Sequence, residues 1–394
     1  MNLYLQDFLN LTERVINQIN PDLAMHHVRV AYIALQLAEK TGLSKKECAA
    51  IYTAAWLHDV GVAVSKDRNI IFPTPANENK DHEKKGALLL KNIEIFKSIA
   101  PIVENHHLSD QEYNHYGIKN QIVHVADRME LILRRFSGRI SVHADTICDL
   151  LLAEHSYIGP KIEHAIDQLR NCDYFWYTLD SRNHLITVSK NSPAKNTLIP
   201  PSDFLEATSL IGYVIDTFSG FTHMHSHSVG DISNLIAVNL GFSSNEATLV
   251  HSAGFLHDVG KLCVPSNLLE KKGPLSNPEY MLVKQHSFST MEMFENSPSL
   301  KKIGIWASQH HERLDGSGYP YGLTQDELEF ESKIIMVADI FTAMIEPRPY
   351  KKSKKPLEAI GELKTIAKQG KISSAIVAVL EKNLHAASQL IKDF

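Results

Sequence analysis

Histidine and aspartate residues recur in the same order in the two halves of this chain. Each half has a single histidine, a His-Asp pair, a second single histidine, a His-His pair and a final aspartate. The C-terminal set comprises His225, His257, Asp258, His286, His310, His311 and Asp339. The N-terminal set comprises His26, His58, Asp59, His82, His106, His107 and Asp127. The spacing from the first histidine to the His-Asp pair is the same in both, as is that from the middle histidine to the His-His pair. This repetition predicts a duplicated domain.

Imidazole and carboxylate side chains in this combination suit divalent metals such as Mn, Fe, Co, Ni or Zn. Neither set includes a thiolate, which argues against a structural zinc site. Seven ligand residues are more than one ion uses, and a carboxylate such as Asp258 can bridge two ions. Ion pairs about 3.5–4 Å apart commonly serve displacement at phosphorus. The C-terminal set is therefore predicted to bind metal for chemistry of this kind.

The segments that carry these residues have helical periodicity. Apolar residues recur at three- and four-residue steps near the start of the chain and in 28–40, 46–57, 245–256, 278–295 and 355–368. The clearest break is the polar, proline-rich stretch 179–202, which contains a short β-like Ile-Thr-Val sequence. The predicted fold class is all-α, with two tandem domains at 1–195 and 200–394.

Composition excludes several classes of protein. With 394 residues, 44% of them hydrophobic and 22% charged, the chain has enough apolar material for two domains. With a net charge of -5, the chain lacks the excess of basic residues expected of a protein that binds duplex nucleic acid. The four cysteines have no C-x-x-C spacing, so reduced thiols in a cytoplasm are expected. No run approaches the roughly 18 apolar residues of a membrane span, and we expect no membrane association.

The C-terminal half resembles the HD-GYP family of cyclic-dinucleotide phosphodiesterases. The resemblance is carried by HDVGK at 257–261, HHERLDGSGYP at 310–320, VAD at 337–339 and RPYKK at 348–352. It implies a binuclear centre formed by the C-terminal set, with Asp258 as the bridging ligand. It also implies a catalytic role for Lys261 beside the metals and a substrate-phosphate role for Arg348 and Lys351. Some members bind a third metal through a glutamate where this chain has Phe221, so two divalent ions, Fe, Mn or similar, are expected.

The resemblance implies a metal-dependent phosphodiesterase that hydrolyses cyclic di-GMP, 3'3'-cyclic GMP-AMP or both to a linear dinucleotide. The expected nucleophile is a metal-bridging hydroxide that attacks phosphorus in line. Base preference, and further cleavage to mononucleotides, stay open. Two rival hypotheses remain: a phosphohydrolase of the wider HD class acting on another nucleotide, and a non-enzymatic signalling module that responds to cyclic dinucleotides.

The N-terminal half resembles only a generic HD domain. Val62 stands where the second copy has Lys261, and no GYP sequence follows His106 and His107. Three interpretations compete: a non-catalytic domain for regulation or dimerisation, a domain that still binds metal, and a phosphohydrolase with an activity of its own. The expected partner is the cyclic dinucleotide substrate. A homodimer formed through the N-terminus and a diguanylate-cyclase-type protein are two further partner hypotheses.

Overall fold

The computed structural model describes residues 1–64, 81–109, 111–219, 224–346 and 353–391. In these ranges the regular structure is helical, and the β-type pairings are two isolated bridges, Tyr4 with Leu198 and Asp315 with Thr324. The predicted all-α class is confirmed. No helix in the same ranges has the length and hydropathy needed to cross a membrane.

The chain divides into two compact units, Tyr4–Leu198 and Met1–Leu3 together with Ile199–Phe394. The helices of the first unit are α1 Leu5–Ile19, α2 His26–Lys40, α3 Lys45–Leu57, α4 Asp81–Lys91, α5 Glu94–Lys97, α6 Ala100–Glu104, α7 Ile118–Leu133, α8 Ala144–Glu154, α9 Pro160–Arg170, α10 Asp173–Leu179 and α11 His184–Asn191. Those of the second are α12 Pro201–Ser219, α13 His225–Asn239, α14 Ser244–Leu256, α15 Ser266–Leu269, α16 Asn277–Met293, α17 Lys301–Ser308, α18 Phe330–Ile345, α19 Pro356–Lys368, α20 Ser374–Lys382 and α21 Leu384–Leu390.

The Ile-Thr-Val sequence is helical, and its β-like interpretation was wrong. It lies inside α11, where Val188 is buried and His184 places its Nδ1 2.7 Å from the carbonyl oxygen of Thr178. Burial of the apolar side of a helix outweighs the modest β preference of branched residues. The polar stretch 179–202, the predicted break between the domains, is therefore partly helical.

The two units share a local framework around the repeated LHDVG sequence. In both, the helix before it, α3 or α14, begins with a capping box: Ser44 pairs with Glu47, and Ser243 pairs with Glu246. A 3₁₀ turn follows each His-Asp pair, at Val60–Val64 and Val259–Cys263. The sequence thus stops a helix and turns the chain immediately after two ligand residues.

The glycine of LHDVG lets this turn touch the next ligand-bearing helix. A Cβ on Gly260 would lie 1.9 Å from the carbonyl oxygen of His286 and 2.5 Å from the amide nitrogen of Thr290. The Gly260 amide instead donates to Thr290 Oγ1 at 3.1 Å. In the N-terminal unit, a Cβ on Gly61 would lie 2.0 Å from the His82 carbonyl oxygen. Only glycine permits this approach, which explains why the residue is present in both copies.

Gly260→Ala should therefore lower the free energy of unfolding by about 3 kcal/mol, because the added methyl overlaps helix backbone that cannot move aside. Gly273→Ala is the matched control, since a Cβ there meets nothing within 4 Å. Chemical denaturation of the full chain measures both. An equal effect of the two substitutions would contradict the proposed packing constraint.

Candidate metal centre

The seven residues of the C-terminal set come from five helices or their ends. His225 begins α13, His286 lies in α16 and Asp339 lies in α18, whereas His257 with Asp258 follows α14 and His310 with His311 follows α17. All seven belong to the groups whose potential ligand atoms lie within 4.8 Å of one another. The structure therefore places the whole predicted set in one region of the unit.

Asp258 is the central residue of the cluster because its two carboxylate oxygens face different histidines. Oδ1 lies 3.4 Å from His286 Nε2 and 3.8 Å from His310 Nε2. Oδ2 lies 3.2 Å from His257 Nε2 and 4.0 Å from His225 Nε2. A carboxylate with this environment is suited to bridge two cations.

Asp339 completes the cluster on another side. Its Oδ1 lies 3.4 Å from His225 Nε2, and its Oδ2 lies 4.0 Å from His311 Nδ1. The ligand atoms thus fall into two adjacent groups. One group has His225, His257, Asp258 Oδ2 and Asp339 Oδ1, and the other has Asp258 Oδ1, His286, His310 and His311.

Backbone carbonyls orient three of the histidines in the cluster. In His257, His286 and His310 the Nδ1 atom lies 2.6–2.8 Å from the carbonyl oxygen three residues earlier. A proton on Nδ1 leaves the Nε2 lone pair facing the cluster. Nε2 of His257 is buried without a hydrogen-bond partner in the described part of the chain. A buried nitrogen that accepts no hydrogen bond and lies beside carboxylates is a suitable ligand atom for a divalent cation.

Glu346 orients His225, the histidine at the start of α13. This role was not predicted from the sequence. Its Oε2 lies 2.8 Å from Nδ1 of His225, and its side chain is buried. The N-terminal unit has the same arrangement, with Glu130 Oε2 2.7 Å from Nδ1 of His26. Glu130 follows the last aspartate by one helical turn and Glu346 by two, so the only sequence signal was a carboxylate on the same helix face.

Burial and neighbouring charges shift the pKa values of the cluster residues in opposite directions. Burial alone would raise the pKa of Asp258, but His257, Lys261 and His286 outweigh it and keep that pKa well below its usual range. Burial lowers the pKa of His311 to about 3. Burial opposes protonation of His225 too, yet Asp339 and Glu346 raise its pKa to about 10. The concentrated negative charge around His225 is what a cation would neutralise.

Lys261 approaches this cluster from the rim of the site. Its Nζ donates a hydrogen bond to Asp258 Oδ2, and its side chain is 25% exposed. In the N-terminal unit the corresponding Val62 is buried in an apolar group with Ile16 and Leu23. The first copy therefore has hydrocarbon packing where the second has a positive charge that a ligand can reach.

The loop that contains the Gly-Tyr-Pro sequence at 318–320, called the GYP loop below, is fixed beside the cluster by Glu312. Glu312 is buried, and no role was predicted for it from the sequence. Its carboxylate accepts from the Tyr321 amide at 2.7 Å and from the Leu323 amide at 3.0 Å. Gly318 must lack a side chain, because a Cβ there would lie 2.3 Å from Glu312 Cα. The N-terminal unit has Leu108 in place of Glu312 and cannot anchor a loop this way.

The anchored loop brings an aromatic ring to the edge of the cluster. The Tyr319 ring centroid lies 4.8 Å from that of His311, and Lys284 Nζ lies 4.6 Å from the Tyr319 ring centroid. The predicted substrate-phosphate residues Arg348 and Lys351 lie outside the described residues, as does Phe221.

The N-terminal set is brought together in the same way. Asp59 Oδ1 lies 3.4 Å from His82 Nε2 and 3.5 Å from His106 Nε2. Asp59 Oδ2 lies 3.2 Å from His58 Nε2 and 3.6 Å from His26 Nε2. Duplication of the sequence pattern therefore corresponds to duplication of the geometry.

Two helical units, each built around such a cluster, define a tandem HD-domain protein. Models described as HD domain match residues 23–132 and 213–376. A solved cyclic GMP-AMP-specific phosphodiesterase of Vibrio cholerae has the same fold, with a TM-score of 0.63 and 20% identity over 100% of this chain and 99% of that one.

Three curated relatives have different coverage. The chain is 26% identical to 3'3'-cGAMP-specific phosphodiesterase 1 of V. cholerae, over 99% of this chain and 94% of that protein. Identity to 3'3'-cGAMP-specific phosphodiesterase 3 of the same organism is 27%, over 77% and 63% respectively. Identity to a cyclic di-GMP phosphodiesterase of Thermotoga maritima is 38%, over 54% and 58%. The chain thus spans less than two thirds of the second and third relatives. With the two HD-domain matches, these relatives place the chain in the HD-GYP family.

Replacing Glu346 by Gln should weaken metal binding in the C-terminal unit by about 10–100-fold, because the carboxylate orients His225 and increases its basicity. Calorimetric titration with Mn²⁺ in an Asp59→Ala background isolates this unit from the other. The surface change Glu270→Gln is the control. Unaltered affinity in a folded Glu346→Gln protein would show that the contact has no such role.

Proposed function

We propose that the chain is a metal-dependent phosphodiesterase that hydrolyses a cyclic dinucleotide in its C-terminal unit. The observation that carries the proposal is the position of Asp258, whose two oxygens face separate histidine groups while Lys261 contacts the same carboxylate. The substrate class comes from the names of the two relatives whose alignments cover most of this chain.

The two ligand groups would hold two divalent ions, with Asp258 shared between them. Such ions, when bound, polarise phosphate oxygens and lower the pKa of water. The chain itself contributes position and charge. Its histidine Nδ1 atoms are fixed by carbonyls and Glu346, so that the ligand geometry exists before substrate arrives. Iron or manganese is the proposed metal.

Lys261 supplies the charge that the N-terminal unit lacks. Phosphodiester cleavage builds negative charge on nonbridging and leaving oxygens, and a fixed cation beside them stabilises that charge. Its amino group contacts Asp258, so it would lie near a substrate phosphate held by ions at that carboxylate. Its side chain is partly open to solvent. Arg348 and Lys351 keep their predicted role in holding substrate phosphate.

The GYP loop provides a surface for a nucleobase. Tyr319 presents a ring beside His311, and Lys284 lies over that ring. Aromatic faces stack on bases of either purine type, with a contribution of about 1–3 kcal/mol per base. This surface accommodates cyclic di-GMP as well as 3'3'-cyclic GMP-AMP. We favour the hybrid dinucleotide because the relative aligned over nearly the whole of both proteins bears that name. The product is a linear dinucleotide.

We assign the domain predicted at residues 1–195 a regulatory or dimerising role and the domain predicted at residues 200–394 the catalytic one. Val62 and Leu108 remove the charge and the loop anchor that the second unit has. Cys48, Cys148 and Cys172 are thiols outside any disulfide, which is consistent with the cytoplasmic location expected from the sequence. The homodimer and the cyclase-type partner stay predictions.

Asp258→Ala should reduce hydrolysis by at least about 100-fold, whereas Asp59→Ala should leave it nearly unchanged, because only the second unit combines the metal ligands with a fixed cation. The assay incubates the full chain with Mn²⁺, or with Fe²⁺ without oxygen, and each of three substrates: 3'3'-cyclic GMP-AMP, cyclic di-GMP and cyclic di-AMP. Chromatography separates the products. Lys261→Val, which copies the first unit, should lower kcat by about 10²–10³-fold while metal content is retained.

Equal loss in a folded Asp59→Ala protein would contradict the assignment of catalysis to the second unit. Tight binding of a cyclic dinucleotide without turnover under either metal would instead support the non-enzymatic module. Hydrolysis of other nucleotides alone would support the wider phosphohydrolase class.

A further inference from the structure

The N-terminal centre contains a cation of its own, the guanidinium of Arg128. Its Nη2 lies 2.8 Å from His107 Nδ1 and donates to Asp127 Oδ2 at 3.0 Å. The side chain is 19% exposed, so the contact is largely shielded from solvent. One guanidinium nitrogen thus lies between two of the residues that sequence reasoning assigned to metal.

The C-terminal unit offers an internal comparison. There the residue after the last aspartate is Ile340, which has no charge. The corresponding gap, from His311 Nδ1 to Asp339 Oδ2, is 4.0 Å, close to the 3.7 Å between His107 Nδ1 and Asp127 Oδ2. The two gaps have similar widths, and only the N-terminal one is bridged by the guanidinium of the next residue in sequence. Lys261 contacts the Asp258 carboxylate, whereas Arg128 contacts a histidine as well as a carboxylate.

This contact removes His107 from the ligand set. Arginine stays protonated and can only donate, so His107 Nδ1 must accept with its lone pair. A neutral imidazole that accepts through one nitrogen carries its proton on the other. Neither nitrogen of His107 then has a lone pair for a metal. The group of Asp59, His82, His106 and His107 retains three ligands and gains an adjacent positive charge.

The other group of the N-terminal centre is intact. His26 Nε2 lies 3.4 Å from Asp127 Oδ1, and His58 Nε2 lies 3.2 Å from Asp59 Oδ2. His27 adds a buried Nε2 that has no hydrogen-bond partner among the described residues and lies 3.8 Å from Asp59 Oδ2. The second unit has Ser226 at that position, so the first unit is richer in donors on this side.

We propose that Arg128 replaces one of two metal ions in the N-terminal centre, which therefore binds a single divalent ion through His26, His58, Asp59 and Asp127. The inference concerns the first unit only and does not depend on the activity of the second. It implies a mononuclear site next to a fixed guanidinium, without the two-ion arrangement used for phosphodiester cleavage. The role that suits it is structural or regulatory.

The test counts metal in the full chain with the C-terminal centre disabled by His257→Ala and Asp258→Ala. After equilibration with Mn²⁺, elemental analysis should find one ion per chain, with the electron paramagnetic resonance spectrum of an isolated ion. Arg128→Ile, which copies the second unit, should give two ions and an exchange-coupled spectrum. Adding His107→Ala to it should restore one ion. Arg128→Met repeats the test with a different side chain, and Arg135→Ile is the control for loss of an exposed arginine.

Two ions per chain with Arg128 present would overturn the proposal. So would no bound ion, or a single ion in both Arg128→Ile and Arg128→Met. Because every sample carries His257→Ala and Asp258→Ala, failure of the phosphodiesterase assignment would leave these counts unchanged.

Discussion

The structure depends on one aspartate in each unit presenting its two oxygens to two groups of histidines. Asp258 and Asp59 have this position because a helix ends just before them and the chain then turns. The turn must approach the next helix at distances that exclude a Cβ, and glycine allows it. Backbone contact therefore brings the middle histidine, His286 or His82, to the first oxygen of the aspartate. The other helices supply ligands around a position already determined.

Divergence of the two units concerns what surrounds this common centre. Lys261 corresponds to Val62, Glu312 to Leu108, and Ile340 to Arg128. The first two differences remove a reachable charge and a loop anchor from the N-terminal unit, and the third adds a cation to its centre. The two units thus have corresponding candidate ligand residues but differ in the charge and the loop beside them.

The ligand set could be predicted from the sequence because duplication displays the same spacing twice. The orienting residues Glu130 and Glu346 could not, since they contact histidines 104 and 121 residues away in the chain and lie at different offsets from the last aspartate. Arg128 and Glu312 were missed for a similar reason: an isolated charged residue beside a motif is usually exposed. The helix containing Ile-Thr-Val was misinterpreted because tertiary burial, and not local propensity, determines it. Arg348 and Lys351 rest on the motif alone.

The role of Asp258 is tested most directly by a crystal structure of the Mn²⁺-loaded protein with anomalous scattering recorded at the manganese edge. We expect two strong peaks in the C-terminal unit, about 3.5–4 Å apart, on the two sides of the Asp258 carboxylate. A single peak, or peaks that do not share Asp258, would contradict the claim that this carboxylate organises a two-metal centre.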